Sequence, residues 1–291
     1  MTQRSREQAW RDVAKILRAR GFPTADLDAR VLLCAADDCS PEDLVRAPDA
    51  MVRAAAAARL EAMTARRLEG EPVSRILGVR DFWGMAFAVS PAVLDPRADS
   101  EVIVEAVLSH IDDKNLPLRL LDLGTGSGCL LLALLAELPN ATGVGIDRSS
   151  DALEVAGQNT AALGFAARAR FQAGDWLAGD WAAEVGVDGP FDVIVSNPPY
   201  IPSGELAGLA PEVRLFDPAL ALDGGVDGFE AYRAIAAQAG SLLTPQGRFV
   251  LEVGAGQADD VAAILEAAGL TCLEVRSDLS GRPRALVAGL S

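Results

Sequence analysis

The chain has 291 residues, 50% hydrophobic, 5% aromatic and 23% charged, which is material for one large and one smaller packed domain and excludes a disordered tail. Lys and Arg number 26 against 41 Asp and Glu, and the net charge of −15 argues against a general phosphate-backbone binder and against a membrane-surface role. Four cysteines (Cys34, Cys39, Cys129, Cys272) form no CxxC pair, MTQRSREQAW lacks a signal-peptide core, and no apolar run approaches the ~18 residues of a membrane span, so a reducing cytoplasm is expected.

Residues 1–75 read as an all-α domain. Ala9, Val13, Ile16 and Leu17 keep helical spacing before Gly21 and Pro23. Ser40-Pro41-Glu42-Asp43 supplies an N-cap, a first-turn proline and two acids. A long Ala/Arg-rich helix then ends near Gly70. Residues 1–70 carry 12 basic and 11 acidic side chains, whereas residues 71–291 carry 14 and 30, so the acidity belongs to the second part. Residues 76–98 read as a connector in which the alternation from Phe82 to Val89, broken by Gly84, predicts a β-hairpin. The single histidine, His110, stands where VEAVLSHID ends a helix and suggests no metal site.

From Leu118 short apolar strands alternate with helices: LRLLDL, CLLLALLAEL, TGVGID, DALEVAGQNTAAL, ARARFQA, FDVIVS, FEAYRAIAAQAG, GRFVLEV, ADDVAAILEAAG, TCLEVRS and RALVAGL. This predicts an α/β domain over residues 99–291, a mostly parallel sheet with helices on both faces. In LLDLGTGSGC the run Gly124-Thr125-Gly126-Ser127-Gly128 makes a tight strand-to-helix turn whose missing Cβ atoms let a ligand approach backbone N–H groups. The next strand ends at Asp147, 19 residues after Gly128, where a carboxylate can accept ribose hydroxyls. Capping of the following helix is the alternative, though Ser149 or Ser150 could do that. Together these point to a nucleoside-containing cofactor without separating a dinucleotide from another adenosine ligand. Asp175-Trp176, after the third strand, could bind the adenine amine and cover its face, or serve as a loop cap and a half-buried tryptophan.

Asn197-Pro198-Pro199-Tyr200 follows the fourth strand, at the sheet end where such folds bind ligands. The side-chain oxygen of Asn197 and the carbonyl of Pro198 can each accept one N–H of an NH2 group on a planar carbon, with Tyr200 packed on that plane. Acceptors out of the amide plane favour pyramidalisation and stabilise the charge that develops as a methyl group arrives. No side chain of the motif is a strong base, so the proton leaves to water and kcat has no bell-shaped profile near neutrality.

On these residues the chain resembles the release factor glutamine methyltransferases, members of the class I S-adenosylmethionine-dependent fold. The resemblance spans nearly the whole chain: the helical first domain, EP, GVRDFW and PRADSE in the connector, LDLGTGSG, GDW, SNPPYIP and DPALALDGGVDGFEAYR. It implies a seven-stranded class I domain and methylation of the glutamine side-chain nitrogen in the GGQ motif of class-1 peptide chain release factors. S-adenosylmethionine is the implied donor and S-adenosylhomocysteine the product. Gly124 to Gly128 would line the methionine end, Asp147 the ribose and Asp175-Trp176 the adenine. Asn197 to Tyr200 would receive the glutamine, Asn197 also touching the donor, and residues 1–75 would recognise the release factor. A cytoplasmic monomer without a metal or direct nucleic-acid contact is expected. The family's usual IPRPDTE here reads Asp95-Pro96-Arg97-Ala98-Asp99-Ser100-Glu101, which keeps Arg97 and Glu101 but changes the enclosure of the donor. An N6-adenine methyltransferase needs the same acceptor motif and is the main alternative. An NAD-dependent oxidoreductase would leave that motif without a role, and a non-catalytic adenosine-binding module shares the glycine loop.

Overall fold

The computed structural model describes residues 4–185, 189–278 and 280–290, which fall into two compact units, residues 1–78 and 79–291. In the first unit, α1 (Arg6–Ala19), α2 (Ala25–Asp37), α3 (Pro41–Arg46), α4 (Ala54–Leu68) and α5 (Val73–Leu77) pack around Val13, Leu17, Leu32, Leu33 and Leu60. Capping sets the starts of two of these helices. Ser5 and Gln8 form a capping box on α1, and Ser40 and Asp43 form another on α3 with Pro41 in its first turn. Ala9, Val13 and Leu17 face inward, whereas Ile16 is 45% exposed on the shoulder of the apolar stripe. A buried ion pair, Arg67 Nε to Asp28 Oδ2 at 2.8 Å, links α4 to α2, with the guanidinium also lying 4.1 Å from the centre of the Phe22 ring.

The second unit opens with a hairpin, β1 (Val79–Phe82) and β2 (Met85–Ala88), turned by Trp83 at φ 51° and Gly84 at φ 70°. The carboxylate of Glu101 accepts the Trp83 N–H at 2.8 Å, while buried Asn159 accepts the Ala88 N–H at 2.7 Å and donates to Ser127 O at 2.9 Å. The hairpin therefore braces the glycine loop.

The rest of the unit is built from α6 (Glu101–Ser109), β3 (Arg119–Leu123), α7 (Cys129–Glu137), β4 (Thr142–Asp147), α8 (Ser150–Ala162), β5 (Ala169–Ala173) and α9 (Trp181–Val185). It continues with β6 (Phe191–Ser196), α10 (Pro211–Phe216), α11 (Glu230–Leu242), β7 (Leu243–Glu252), α12 (Ala258–Ala267), β8 (Leu270–Ser277) and β9 (Pro283–Leu290). The strands form one seven-stranded sheet in the order β5-β4-β3-β6-β7-β9-β8, parallel except where β9 inserts antiparallel between β7 and β8. This is the sheet expected of a class I methyltransferase. Its order reverses between β3 and β6, so the loops leaving their carboxyl ends diverge and open a crevice there. Two apolar cores flank the sheet. One gathers α9, α11 and α12, and the other α6 and α7, where Leu130 to Leu135 are buried on every side as a helix apolar all round requires. Among the described residues no helix is long and apolar enough to cross a membrane.

Candidate active site

A cavity of about 710 Å³ occupies this crevice, within the usual size of a small-molecule site. Gly124, Gly126 and Gly128 all take left-handed φ values, 72°, 54° and 80°, which other residues adopt only under strain. They turn the chain sharply from β3 into α7, and Gly124 to Ser127 line the cavity wall with backbone. Gly128 lies off that wall as the N-cap of α7, where a Cβ would come within 3.3 Å of the Phe171 ring. Beneath the turn, fully buried Asp122 accepts the Thr125 hydroxyl at 2.7 Å, and burial pushes its carboxyl up to about 7.

Asp147 ends β4 and faces the cavity. Its Oδ2 accepts the Gly126 N–H and its Oδ1 the Ser149 N–H, both at 2.9 Å, which fixes the carboxylate against the glycine turn. Burial raises its pKa above the ordinary carboxylate value. The cap of α8 is Ser149, whose Oγ accepts the Ala152 N–H, so Asp147 retains lone pairs for a ligand. Trp176 lines the cavity and lies so close over Gly124 that a Cβ there would stand 2.8 Å from the indole. Its neighbour Asp175 is off the lining. The Asp175 Oδ1 caps its own turn by accepting Leu177 N–H at 2.9 Å, and Oδ2 lies 3.9 Å from Arg148 Nε.

At the end of β6, Asn197 and Pro199 reach the cavity wall, whereas Pro198 is buried and Tyr200 turns away toward the β7 end. Asn197 Nδ2 donates to Ser100 Oγ at 3.1 Å, and Ser100 Oγ donates to Glu252 Oε2. Tyr200 Oη donates to Glu252 Oε1 at 3.3 Å. The turn rests on the Asp223–Gly228 segment. Gly224 N donates to Ile201 O at 2.8 Å, and a Cβ on Gly224 would lie 2.8 Å from Tyr200 Cα and 2.9 Å from Pro199 O. A Cβ on Gly228 would lie 2.6 Å from Tyr200 O. Gly224 and Gly228 in DGGVDG thus reflect backbone packed on backbone, whereas a Cβ on Gly225 would meet the Glu230 side chain. Arg97 closes the neighbouring wall by pairing with Asp217, whose other oxygen accepts the Asp95 N–H at 3.2 Å. Sequence reasoning missed Ser100, Asp217 and Glu252. Glu252 had a signal, a lone acid closing the apolar run RFVLEV, but its partners lie far along the chain.

The lining carries Asp147, Asp151, Asp223 and Glu230 against Arg97 and Arg148, a surplus of negative charge that suits a cationic sulfonium better than an anionic pyrophosphate. Backbone N–H groups, a strand-end carboxylate and an indole in one wall also fit the amino acid, ribose and base of S-adenosylmethionine.

The chain matches the family model described as PrmC N-terminal domain over residues 8–78 and the one described as Methyltransferase domain over residues 114–273. It is 49% identical to the release factor glutamine methyltransferase of Rhodospirillum rubrum over 280 residues, 96% of this chain and 82% of that protein. It is 46% identical to the same-named protein of Bradyrhizobium diazoefficiens over 290 residues, 99% and 95% of the two chains. The crystal structure of a methyltransferase from Pyrococcus furiosus shares the fold, with a TM-score of 0.50 at 16% identity over 79% of this chain and 98% of that one. With both halves matched and relatives this similar along almost its whole length, the chain belongs to the release factor glutamine methyltransferase family.

Proposed function

We propose that the chain transfers a methyl group from S-adenosylmethionine to the side-chain amide nitrogen (N5) of the glutamine in the GGQ motif of class-1 peptide chain release factors. The observation that carries this reading is Asn197, which stands on the cavity wall at the end of β6 with its NH2 group already engaged by Ser100. Its Oδ1 is thereby the atom left to accept a substrate N–H; the carbonyl of Pro198, which lies behind the cavity wall, would serve as second acceptor only once the substrate reaches past Asn197. When bound, S-adenosylmethionine supplies an electrophilic methyl group on a positively charged sulfur. Asp147 would hold the ribose, the Gly124 to Ser127 turn the methionine part, and Trp176 would cover the base. Asp175 acts by shaping the turn that carries Trp176.

Asn197 and Pro198 orient the glutamine nitrogen so that its lone pair leaves conjugation and points at the methyl carbon. Once methylated, the nitrogen would be acidic and would lose its proton to water, since no side chain of the motif is a strong base. The helical unit recognises the release factor, and the enzyme works as a cytoplasmic monomer without touching nucleic acid.

The test is methyl transfer from labelled donor to a purified class-1 release factor or to duplex DNA. Label on one glutamine of the protein, and none on DNA, is expected; label on adenine would overturn the assignment. Deleting residues 1–78 should raise the KM for intact release factor while leaving the donor Kd nearly unchanged, and an unaltered KM would deny the helical unit its role.

A further inference from the structure

We propose that Glu252 is the positioning residue of the acceptor site, orienting the Asn197 amide through Ser100 and anchoring the far end of the Asn-Pro-Pro-Tyr turn through Tyr200. The inference rests on the methyl-transfer reading above and concerns how that site is aimed.

An asparagine amide can present either its oxygen or its NH2 group to a substrate, and only one of the two can accept an N–H. The flip is settled by what lies behind it. Ser100 Oγ has one proton, which it gives to Glu252 Oε2, so toward Asn197 it is an acceptor and takes the Nδ2–H at 3.1 Å. The carboxylate is acceptor-only when ionised and therefore dictates the direction of every bond in the chain Asn197 to Ser100 to Glu252. Its second oxygen takes the Tyr200 hydroxyl at 3.3 Å, so one buried group holds both ends of the four-residue turn. Glu252 itself is 2% exposed and fixed at the end of β7, its backbone carbonyl accepting the Tyr232 hydroxyl at 3.0 Å. It touches neither cavity nor substrate.

The surroundings bear on the charge of this group. Arg284 from β9 favours the ionised form and Asp99, in the turn before α6, opposes it, while Tyr200 from the acceptor turn and Tyr232 from α11 present neutral hydroxyls. Arg97 lies near Tyr200 and is paired with Asp217. Burial outweighs the favourable contacts and pushes the carboxyl up to about 7. Protonated on Oε2, Glu252 becomes a donor toward Ser100, which then loses the acceptor that set its direction. Protonation near neutrality would therefore loosen the aim of Asn197 and leave donor binding intact.

The experiment uses the full-length chain, a purified class-1 release factor and saturating S-adenosylmethionine. Single-turnover rates are followed from pH 5.5 to 8.5, with the donor Kd measured separately by calorimetry. The wild type should lose rate on the acid side of a single ionisation near 7. Glu252→Gln should be about tenfold or more slower at pH 8 with a flat profile and a donor Kd within twofold of wild type. Ser100→Ala should show a similar loss in kcat, and the double variant should be no slower than the worse single one, as expected of residues acting in one chain. A Glu252→Gln enzyme as fast as wild type at pH 8, a retained acid limb in that variant, or additive losses in the double variant would overturn the proposal. Should Glu252→Gln fail to fold, Ser100→Ala decides, since a normal rate there breaks the chain at its middle. A wild type that methylates no release factor would defeat the functional reading itself and is scored before any variant.

Discussion

The two walls of the crevice are built in opposite ways. The donor wall is local. The glycine turn and the start of α7 are consecutive, and Asp147 comes from the neighbouring parallel strand, joined to the turn by the bond from Gly126 N. The acceptor wall is gathered from four distant stretches: its bonds join Asn197 to Ser100 across 97 positions, Arg97 to Asp217 across 120 and Ser100 to Glu252 across 152. A cofactor used throughout a fold needs only a standard turn, while a particular acceptor needs a surface that no single supersecondary unit can supply.

The sharpest way to break this comparison is Asn197→Ala. Removing a preorganised polar contact at the reacting nitrogen should lower kcat about 10²–10³-fold with the donor Kd little changed, and a fully active variant would remove the acceptor wall from the chemistry. Next in size, the buried acids test what each wall costs in stability. Glu252 and Asp122 have folded-state pKa values near 7 against ordinary values of 4.5 and 3.8, so between about 4 and 7 the folded chain holds more protons than the unfolded one. Stability should then fall as pH rises through this window, by an order of 2–4 kcal/mol per group. Glu252→Gln and Asp122→Asn should both raise Tm at pH 8 by several degrees and do little at pH 5. Only the first should slow transfer at constant donor affinity. Melting curves at the two pH values check this, and a Tm gain independent of pH would contradict the burial argument.

A pair of glycine substitutions sharpens the contrast further. Gly224→Ala forces a Cβ against the Tyr200 and Pro199 backbone, which cannot yield as a side chain does, and should cost about 1–3 kcal/mol of stability and most of the activity. Gly126→Ala meets nothing within 4 Å and pays only for its φ of 54°, about 1 kcal/mol, with the effect falling on donor affinity. On the donor wall, Asp147→Ala should weaken donor binding by about 1–3 kcal/mol, read by calorimetry, with NAD bound by neither the variant nor the wild type. The smallest effect expected is Tyr200→Phe: the ring stays, Glu252 keeps Ser100, and a 3.3 Å bond is lost, so kcat should drop only a few-fold. A loss rivaling that of Asn197→Ala would give the hydroxyl a direct part in the reaction.

The same contrast explains what could be read from the chain itself. The strand-helix alternation, the glycine turn, Asp147 and the start of the helix at Ser40 follow from short-range patterns, because their partners lie on the next element or within a few residues. Ile16 fits the helical stripe yet is exposed, since the stripe is wider than the face that packs. Asp175 caps its own turn by accepting the Leu177 N–H, a role its place in a strand-end loop also allowed. Ser100 gave no signal, and the lone acid closing RFVLEV gave one that named no partner. A serine in PRADSE and an acid in FVLEV acquire meaning only when β7 pairs with β6 and the connector folds across their ends.

The position of β9 has a consequence for how the enzyme comes into being. As a chain is synthesised from its N-terminus, the glycine turn, Asp147 and the Asn-Pro-Pro-Tyr turn are all present while β7 still has an open edge. That edge is covered only when β9 arrives and Ala285 pairs with Glu252, bringing Arg284 beside the carboxylate at the same moment. A polypeptide cut off before Pro283 would hold every residue of the recognised motifs and lack the strand that seals the aiming group. Motif content and competence are thus separated by one terminal strand, so a truncated gene product can pass for an enzyme on inspection while the catalytic wall never closes.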